Sequence, residues 1–473
     1  MAHWSRRRFL EIAGLGASAT VLRSFLGDRT AQASADNPQL LLFCYFSGGW
    51  DQLLAFDPRD NTLAKYSEAQ AYAKGGSGIY PAYHLVQDTN VEQVMTATAG
   101  KGIQQKGKVG FGPAVPPSLL EHYTDLCALR GLSMETLTHE VGRRYFLTGK
   151  FPRGLAPNGS SMTSVVANQE GAAALIPNLA VSTESYNEGL PAFASPIRVN
   201  SADDVLNVLK PLGTALSPES AAAIEAFEDE ASSNCQHDEY NGSGIVDLFR
   251  SSRDKARTIT NSTASALFKF SLSAPPPEVV PLFDALQIAT NADLTGPKGK
   301  AAIAAQALVN GISQAVSVEM SRGLDDHFDW DTQQATTLRQ SFDALGLLIK
   351  YLKNTPFKGG ADSVWQHTTL VVFSEFARTP LINGRGGRDH HLASSCLLAG
   401  PGIRGNTVVG ATKEPNMSVS KMNLATGAAV ADDDESGAVV RPADVHATVL
   451  ESMGLSWDHI SNQSPKLVEA VLK

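Results

Sequence analysis

Residues 40–51 read LLLFCYFSGGWD, an apolar run that ends in two glycines, a tryptophan and an aspartate. An unbroken apolar run, rather than an alternating one, is typical of a strand buried on both faces in an α/β protein. Ligands of such proteins gather beyond the carboxyl ends of the strands, which is where Asp51 falls. This stretch therefore predicts that Leu40–Phe46 is a strand of a parallel sheet with a polar site at its end.

The same pattern recurs along the chain. The apolar runs Leu126–Leu132, Ala315–Met320 and Thr368–Phe373 are followed by clusters of polar residues, namely Thr138-His139-Glu140, Asp325-Asp326-His327 and Ser374-Glu375. A further cluster, Arg388-Asp389-His390-His391, stands just before the run Ser394–Ala399. Carboxylates and imidazoles brought together at one sheet edge would form a divalent-metal site. The pattern therefore indicates metal-assisted chemistry.

The composition excludes several classes of protein. Of 473 residues, 43% are hydrophobic and 18% charged, as in an ordinary globular protein. The formal net charge of −9 gives no electrostatic basis for binding nucleic acid. After the N-terminus no run approaches the roughly 20 apolar residues needed to span a bilayer. We therefore expect no nucleic-acid partner and no transmembrane segment in the mature chain.

The N-terminus has the features of an export signal. Ser5-Arg6-Arg7-Arg8-Phe9-Leu10 fits a twin-arginine motif, and a mildly apolar segment and the small-residue site Ala31-Gln32-Ala33 follow it. We interpret residues 1–33 as a signal peptide recognised by the twin-arginine translocon. The mature chain, residues 34–473, is then expected to be periplasmic or secreted.

The mature chain reads as one domain with an insertion. Residues from about 200 to 312 are rich in Ala, Ser, Leu and charged residues at helical spacing, as in Ala221–Ala231, Ile245–Ile259 and Lys298–Ile312. We predict that this stretch is a helical insertion beside the sheet. The alternation of strands and helices resumes at Ala315, with a helix predicted over Thr336–Lys353.

Two stretches resemble known families. The segment His139–Lys150 resembles the nucleophile helix of sulfatases in the alkaline-phosphatase-like superfamily. Arg143, Leu147, Thr148 and Gly149 match, but His139 occupies the position of the modified Cys or Ser. The stretches SEFART (374–379) and GRDHH (387–391), with the first strand and the Asp325-Asp326-His327 element, resemble the exported DUF1501 family of that superfamily. The resemblance covers nearly all of the mature chain.

The resemblance implies a fold and a reaction. The fold is an alkaline-phosphatase-like three-layer α/β sandwich with a large, mostly parallel sheet. The reaction is metal-dependent hydrolysis or transfer of a phosphate or sulfate ester, whose anionic substrate is, for example, a polysaccharide or a lipid. One or two divalent ions are implied, held by residues at the strand ends: Asp51, His139, Asp325, His327, Glu375, Asp389 and His390.

The catalytic roles stay open among a few residues. Thr138 carries the hydroxyl next to the expected nucleophile position, and water activated by the metal or His139 itself are the alternatives. Arg143 is the candidate to hold the anion or the nucleophile by bidentate hydrogen bonding. Paired His and carboxylate ligands favour zinc or manganese, with calcium less suited. A second interpretation is a non-catalytic metal-binding envelope protein that keeps the fold, because the usual nucleophile is missing at His139.

Overall fold

The computed structural model describes residues 39–171, 173–209 and 263–473, with a few positions between residues 217 and 230. Its centre is an eight-stranded sheet made of β1 (Leu40–Phe46), β4 (Cys127–Ser133), β5 (Asn178–Val181), β6 (Ile197–Val199), β7 (Ala315–Ser321), β8 (Thr368–Phe373), β11 (Ala393–Ala399) and β12 (Thr407–Val409). The order of the strands across this sheet is β12-β4-β11-β8-β1-β7-β5-β6. Three two-stranded pairs complete the strands: β2 (Gln104–Lys106) with β3 (Val109–Phe111), β9 (Ala377–Arg378) with β10 (His390–His391), and β13 (Met422–Asn423) with β14 (Gly437–Ala438).

Strand β1 lies in the middle of the sheet, parallel to both of its neighbours. Its Leu42 pairs with Val316 of β7 on one side and with Leu370 of β8 on the other. Within the eight-stranded sheet, as far as the structure describes it, only β11 runs antiparallel to its neighbours, β8 and β4. Because an antiparallel strand begins where its parallel neighbours end, the residues before β11 reach the same edge as those that follow β1, β7 and β8.

Both faces of the sheet are covered, which explains why β1, β7, β8 and β11 are buried along their whole length. Leu40, Leu42 and Cys44 of β1 pack in one buried cluster, while Leu41 and Phe43 pack in a second. The larger helices of the first face are α6 (Ala202–Leu209), α7 (Val280–Leu286), α9 (Pro297–Val309) and α10 (Trp330–Asn354). The second face is covered by α4 (His139–Thr148), α5 (Met162–Glu170) and α11 (Pro442–Ser452). The remaining helices are short: α1 (Glu68–Tyr72), α2 (Thr89–Ala97), α3 (Pro117–Leu120) and α8 (Asn291–Thr295).

The predicted fold class, a three-layer α/β sandwich with a large, mostly parallel sheet, is confirmed. The predicted insertion is described only in part, because Ile245–Ile259 and five of the eleven residues of Ala221–Ala231 lie outside the described residues, as does the predicted signal peptide. None of the described helices combines the length and the apolar composition that a membrane crossing requires.

Candidate metal centre

Four of the predicted ligands come together at the carboxyl edge of the sheet. His139 is the first residue of α4, and Asp325 and His327 stand in the loop after β7. His390 is in β10, which pairs with β9 just beyond β8. The chain thus delivers these side chains from three distant segments to one place, which we call the ring: His139, Asp325, His327 and His390.

One carboxylate oxygen of Asp325 lies close to all three imidazoles of the ring, and we call this group the hub carboxylate. Oδ1 of Asp325 lies 3.3 Å from Nε2 of His139, 3.2 Å from Nε2 of His327 and 3.3 Å from Nε2 of His390. The Nε2 atoms of His327 and His390 are themselves 2.9 Å apart. Ligand atoms of His139, Asp325 and His390 all lie within 4.8 Å of one another, a separation that one ion can bridge.

Each ring imidazole is held from behind through its other nitrogen. Nδ1 of His139 is 2.8 Å from Oε1 of Glu375, and Nδ1 of His327 is 2.7 Å from Oδ1 of Asp389. Nδ1 of His390 is 2.6 Å from the carbonyl oxygen of Leu137. Since each of these partners is an acceptor, each Nδ1 carries the proton and donates it. This is the arrangement in which metal-binding histidines are usually fixed.

The lone pairs of the ring show that a cation fits it. With Nδ1 protonated, Nε2 of each neutral imidazole bears a lone pair, and all three face the same carboxylate oxygen. Two such nitrogens 2.9 Å apart repel each other unless a proton or a cation lies between them. Nε2 of His139 is buried and has no hydrogen-bond partner among the described residues. Three nitrogens and one oxygen match the donor set of a zinc-type site.

The charges at the ring favour binding of a cation. Burial raises the pKa of Asp325, but the hydrogen bond and the charge of Arg378 outweigh burial and bring this pKa to about 2. Burial lowers the pKa of His139, and the hydrogen bond and charge of Glu375 reverse the effect and leave it raised, so a proton and a metal ion compete for this imidazole. Next to the ring, burial raises the pKa of Asp326 to about 7. The hub carboxylate is therefore anionic at neutral pH, as metal ligands must be.

Glu375 and Asp389 were predicted as ligands, and the structure places them behind the imidazoles. Glu375 is fully buried, and its Oε1 also accepts a hydrogen bond of 2.8 Å from the backbone N–H of Gly48. Asp389 bonds to His327 and to the side-chain amide of Asn383. In this geometry the two carboxylates orient the imidazoles and raise their basicity.

Asp51 is not part of the ring. Its carboxylate is buried, and Oδ2 lies 3.0 Å from Nε of Arg388 and 2.8 Å from the indole nitrogen of Trp330. Oδ1 accepts hydrogen bonds from the backbone N–H groups of Leu53 and Leu54. The carboxylate is thus occupied by a buried ion pair and a turn, so the expected ligand at this strand end has a structural partner instead.

The other predicted catalytic residues, Arg143 and Thr138, differ in whether their polar groups already have partners. Arg143 binds Glu184 through two hydrogen bonds of 3.1 Å each, so the charge proposed to hold an anion is already neutralised. Burial raises the pKa of Glu184, but the bonds from Arg143 and its neighbours lower it to about 2. Thr138 is exposed at the N-cap of α4, and its hydroxyl makes no capping bond. Nδ1 of His391 contacts the backbone of Ala393, so His390 is the histidine of this pair that faces the ring.

Arg378 is a site residue that our sequence analysis did not assign. It is fully buried and lies 2.6 Å from Oδ1 of Asp325 through Nη2, and its Nε donates to the carbonyl oxygen of Gly49 at 3.0 Å. It therefore fixes the hub carboxylate against the turn that follows β1. Its position within the SEFART stretch was the only sequence signal for this role.

Comparison with solved structures returns distant similarities. The lipoteichoic acid synthase LtaP from Listeria monocytogenes is 9% identical, with 93% of this chain and 79% of that chain covered and a TM-score of 0.36. The protein Ps i-CgsB is 10% identical, with 92% and 75% covered and a TM-score of 0.36, and its complex with k-i-k-neocarrahexaose gives a TM-score of 0.34. A comparison with curated proteins finds no match.

The comparison with protein families is decisive. The sequence profile of DUF1501, described as a protein of unknown function, matches residues 39–464. This range begins at Gln39, directly before β1, and includes every member of the ring. The match thus spans far more than half of the chain, as the SEFART and GRDHH stretches led us to expect. The chain belongs to the DUF1501 family.

Proposed function

We propose that the protein binds a divalent cation in the ring and uses it to hydrolyse or transfer a phosphate or sulfate ester. One observation carries the proposal: three imidazole Nε2 atoms lie 3.2–3.3 Å from the same carboxylate oxygen of Asp325. The matching Nδ1 atoms are all held by acceptors, which leaves the three Nε2 atoms facing the hub carboxylate, where they could serve as ligands. Zinc or manganese suits this donor set better than calcium, which prefers oxygen ligands.

The residues around the ring suit an anionic ester. Helix α4 begins at the ring, and the N–H groups of its first turn and its partial positive charge favour an anion. Arg378 and Glu375 hold Asp325 and His139 in place from the buried side. When bound, a divalent ion supplies Lewis acidity to the ester oxygen and lowers the pKa of water. The hydroxyl of Thr138, next to His139 and free of a capping bond, is the protein's own candidate nucleophile.

One observation favours the non-catalytic alternative. The guanidinium of Arg143, which would stabilise the charge of the transferred group, already forms an ion pair with Glu184. A protein that only stores or senses the metal would need the ring but no free cation beside it. The two proposals share the metal and differ in turnover.

The test begins with metal content. Protein purified without chelators is analysed for zinc, manganese and calcium, and is then assayed with aryl phosphate and aryl sulfate esters. We expect about one ion per chain, and we expect His327→Ala and His139→Ala to lose both the ion and any ester hydrolysis. Glu170→Gln, at a half-buried carboxylate that accepts a hydrogen bond from Gln39, is the matched control. If His327→Ala and His139→Ala kept the full metal content, the ring would be excluded as the metal site. If the wild-type protein held its full metal content but hydrolysed no ester, the non-catalytic alternative would be favoured.

A further inference from the structure

Three large apolar side chains around the ring are exposed. Leu137 is 46% exposed, Phe328 is 52% exposed and Leu392 is 46% exposed. Each stands one or two residues from a ring ligand in the sequence: Leu137 from His139, Phe328 from His327, and Leu392 from His390. We call these three residues the apolar rim.

Backbone contacts tie the rim to the ring. The carbonyl oxygen of Leu137 accepts the Nδ1 hydrogen bond of His390 at 2.6 Å. The carbonyl oxygen of Leu392 accepts a hydrogen bond of 3.0 Å from Met134, three residues before Leu137. Phe328 follows His327 directly, and consecutive Cα atoms are about 3.8 Å apart. The rim is thus built on the same segments that position the imidazoles.

The rim is more than the usual scatter of surface leucines. Single exposed apolar side chains are normal and need no explanation. Three that stand beside three different ligands of one candidate metal centre differ from that scatter, because they gather at one site rather than spreading over the surface. The guanidinium of Arg385 lies 5.2 Å from the centroid of the Phe328 phenyl group. This cation–π contact restrains the Phe328 side chain at the edge of the site.

We infer that the organic part of the substrate next to the ester is apolar, an alkyl or aryl group rather than a sugar. This inference rests on the proposed function. An apolar group gains by covering the rim, whereas the hydroxyls of a sugar would lose water there without finding partners in the rim side chains. Among the polysaccharide and lipid substrates that the sequence left open, the rim favours the lipid-like one.

The experiment compares three probes on the zinc-loaded protein by calorimetry: inorganic phosphate, octyl phosphate and glucose 6-phosphate, each with its sulfate counterpart. We expect the octyl ester to bind at least tenfold more tightly than the glucose ester. Phe328→Ser and Leu392→Ser, made separately, should each weaken the octyl ester by roughly three- to tenfold. Both variants should keep full zinc content and unchanged affinity for inorganic phosphate or sulfate. Leu63→Ser, at a leucine that is 45% exposed, is the control and should leave all affinities as they are.

The outcomes separate the inference from the function on which it rests. If the inorganic anion binds but the glucose ester binds as tightly as the octyl ester, the inference is overturned and the proposed function stands. The same holds if the octyl preference survives both rim variants. If no anion or ester binds the zinc-loaded protein and none is hydrolysed, the proposed function and the inference both fail.

Discussion

Replacing Glu375 with Gln should weaken metal binding without disturbing the fold. The side chain is fully buried, and its Oε1 accepts hydrogen bonds of 2.8 Å from both His139 Nδ1 and the backbone N–H of Gly48. Its Oε2 lies 2.9 Å from Oγ of Ser374. Glutamine keeps the volume and the Oε1 acceptor, and its amide N–H donates to Ser374. What the variant loses is the negative charge behind His139.

The size of the effect follows from that geometry. A group that fixes a metal-binding imidazole from behind typically contributes about 10- to 100-fold to metal affinity. That range corresponds to about 1.4–2.7 kcal/mol of binding free energy. His139→Ala, which removes the ligand itself, should cost more than Glu375→Gln. Comparing the loss of metal affinity in Glu375→Gln with that in His139→Ala therefore tests whether Glu375 orients the ligand His139 or is itself a metal ligand.

The assay is competition for zinc between the metal-free protein and a chromophoric chelator. Chemical denaturation of the metal-free forms checks that Glu375→Gln unfolds with the free energy of the wild type, and Glu170→Gln is again the control. A zinc Kd within twofold of the wild type would refute the assigned role of Glu375. A loss as large as that of His139→Ala would indicate that the carboxylate binds the ion directly, as the sequence predicted.

Three further predictions follow. Thr138→Ala should keep the wild-type thermal stability, since the Thr138 hydroxyl makes no capping bond. It should also keep the wild-type zinc content and lower only kcat for ester hydrolysis, and a loss of zinc would contradict this role. His446 is buried and donates to the carbonyl oxygen of Phe146, and burial lowers its pKa from 6.5 to about 4. The unfolded chain therefore binds the extra proton between pH 6.5 and 4, so the free energy of unfolding should fall on acidification by up to about 3 kcal/mol, and His446→Gln should remove that part of the pH dependence in denaturation curves. Replacing Arg6 and Arg7 together with Lys should leave the precursor in the cytoplasm on fractionation, and unchanged export would contradict the twin-arginine signal.

The central strands were predictable because burial on both faces leaves a plain mark in the sequence. Leu40–Phe46 and Thr368–Phe373 were predicted with the bounds that the structure gives, since each is an unbroken apolar run. Short strands carry a weaker signal, because a strand such as β5 (Asn178–Val181) has only four residues in which a pattern can show. Local pattern predicts a strand well only where the run is long.

The position of the site was predictable, and the roles within it were not. A carboxylate after a strand looks the same in sequence whether it binds an ion, as expected of Glu375, or an imidazole, as the structure places it. For Asp51 the deciding partner is Arg388, which is remote in the chain and is brought close only by the packing of α10 and the segment before β10. Side-chain roles of this kind depend on pairings that no local pattern encodes.

The centre divides into a buried half and an exposed half, and this division bears on how it would work. Glu375 and Arg378 are fully buried and are tied to the turn after β1, so their positions are set when the sheet forms. His327 is half-buried and Asp389 is exposed, and Nδ1 of His327 lies 2.7 Å from Oδ1 of Asp389. A site that stores metal permanently would gain by enclosing all of its ligands. Ligands held rigidly on one side and open on the other leave room for a substrate at the ion, which is why the arrangement favours a catalytic centre over a storage site.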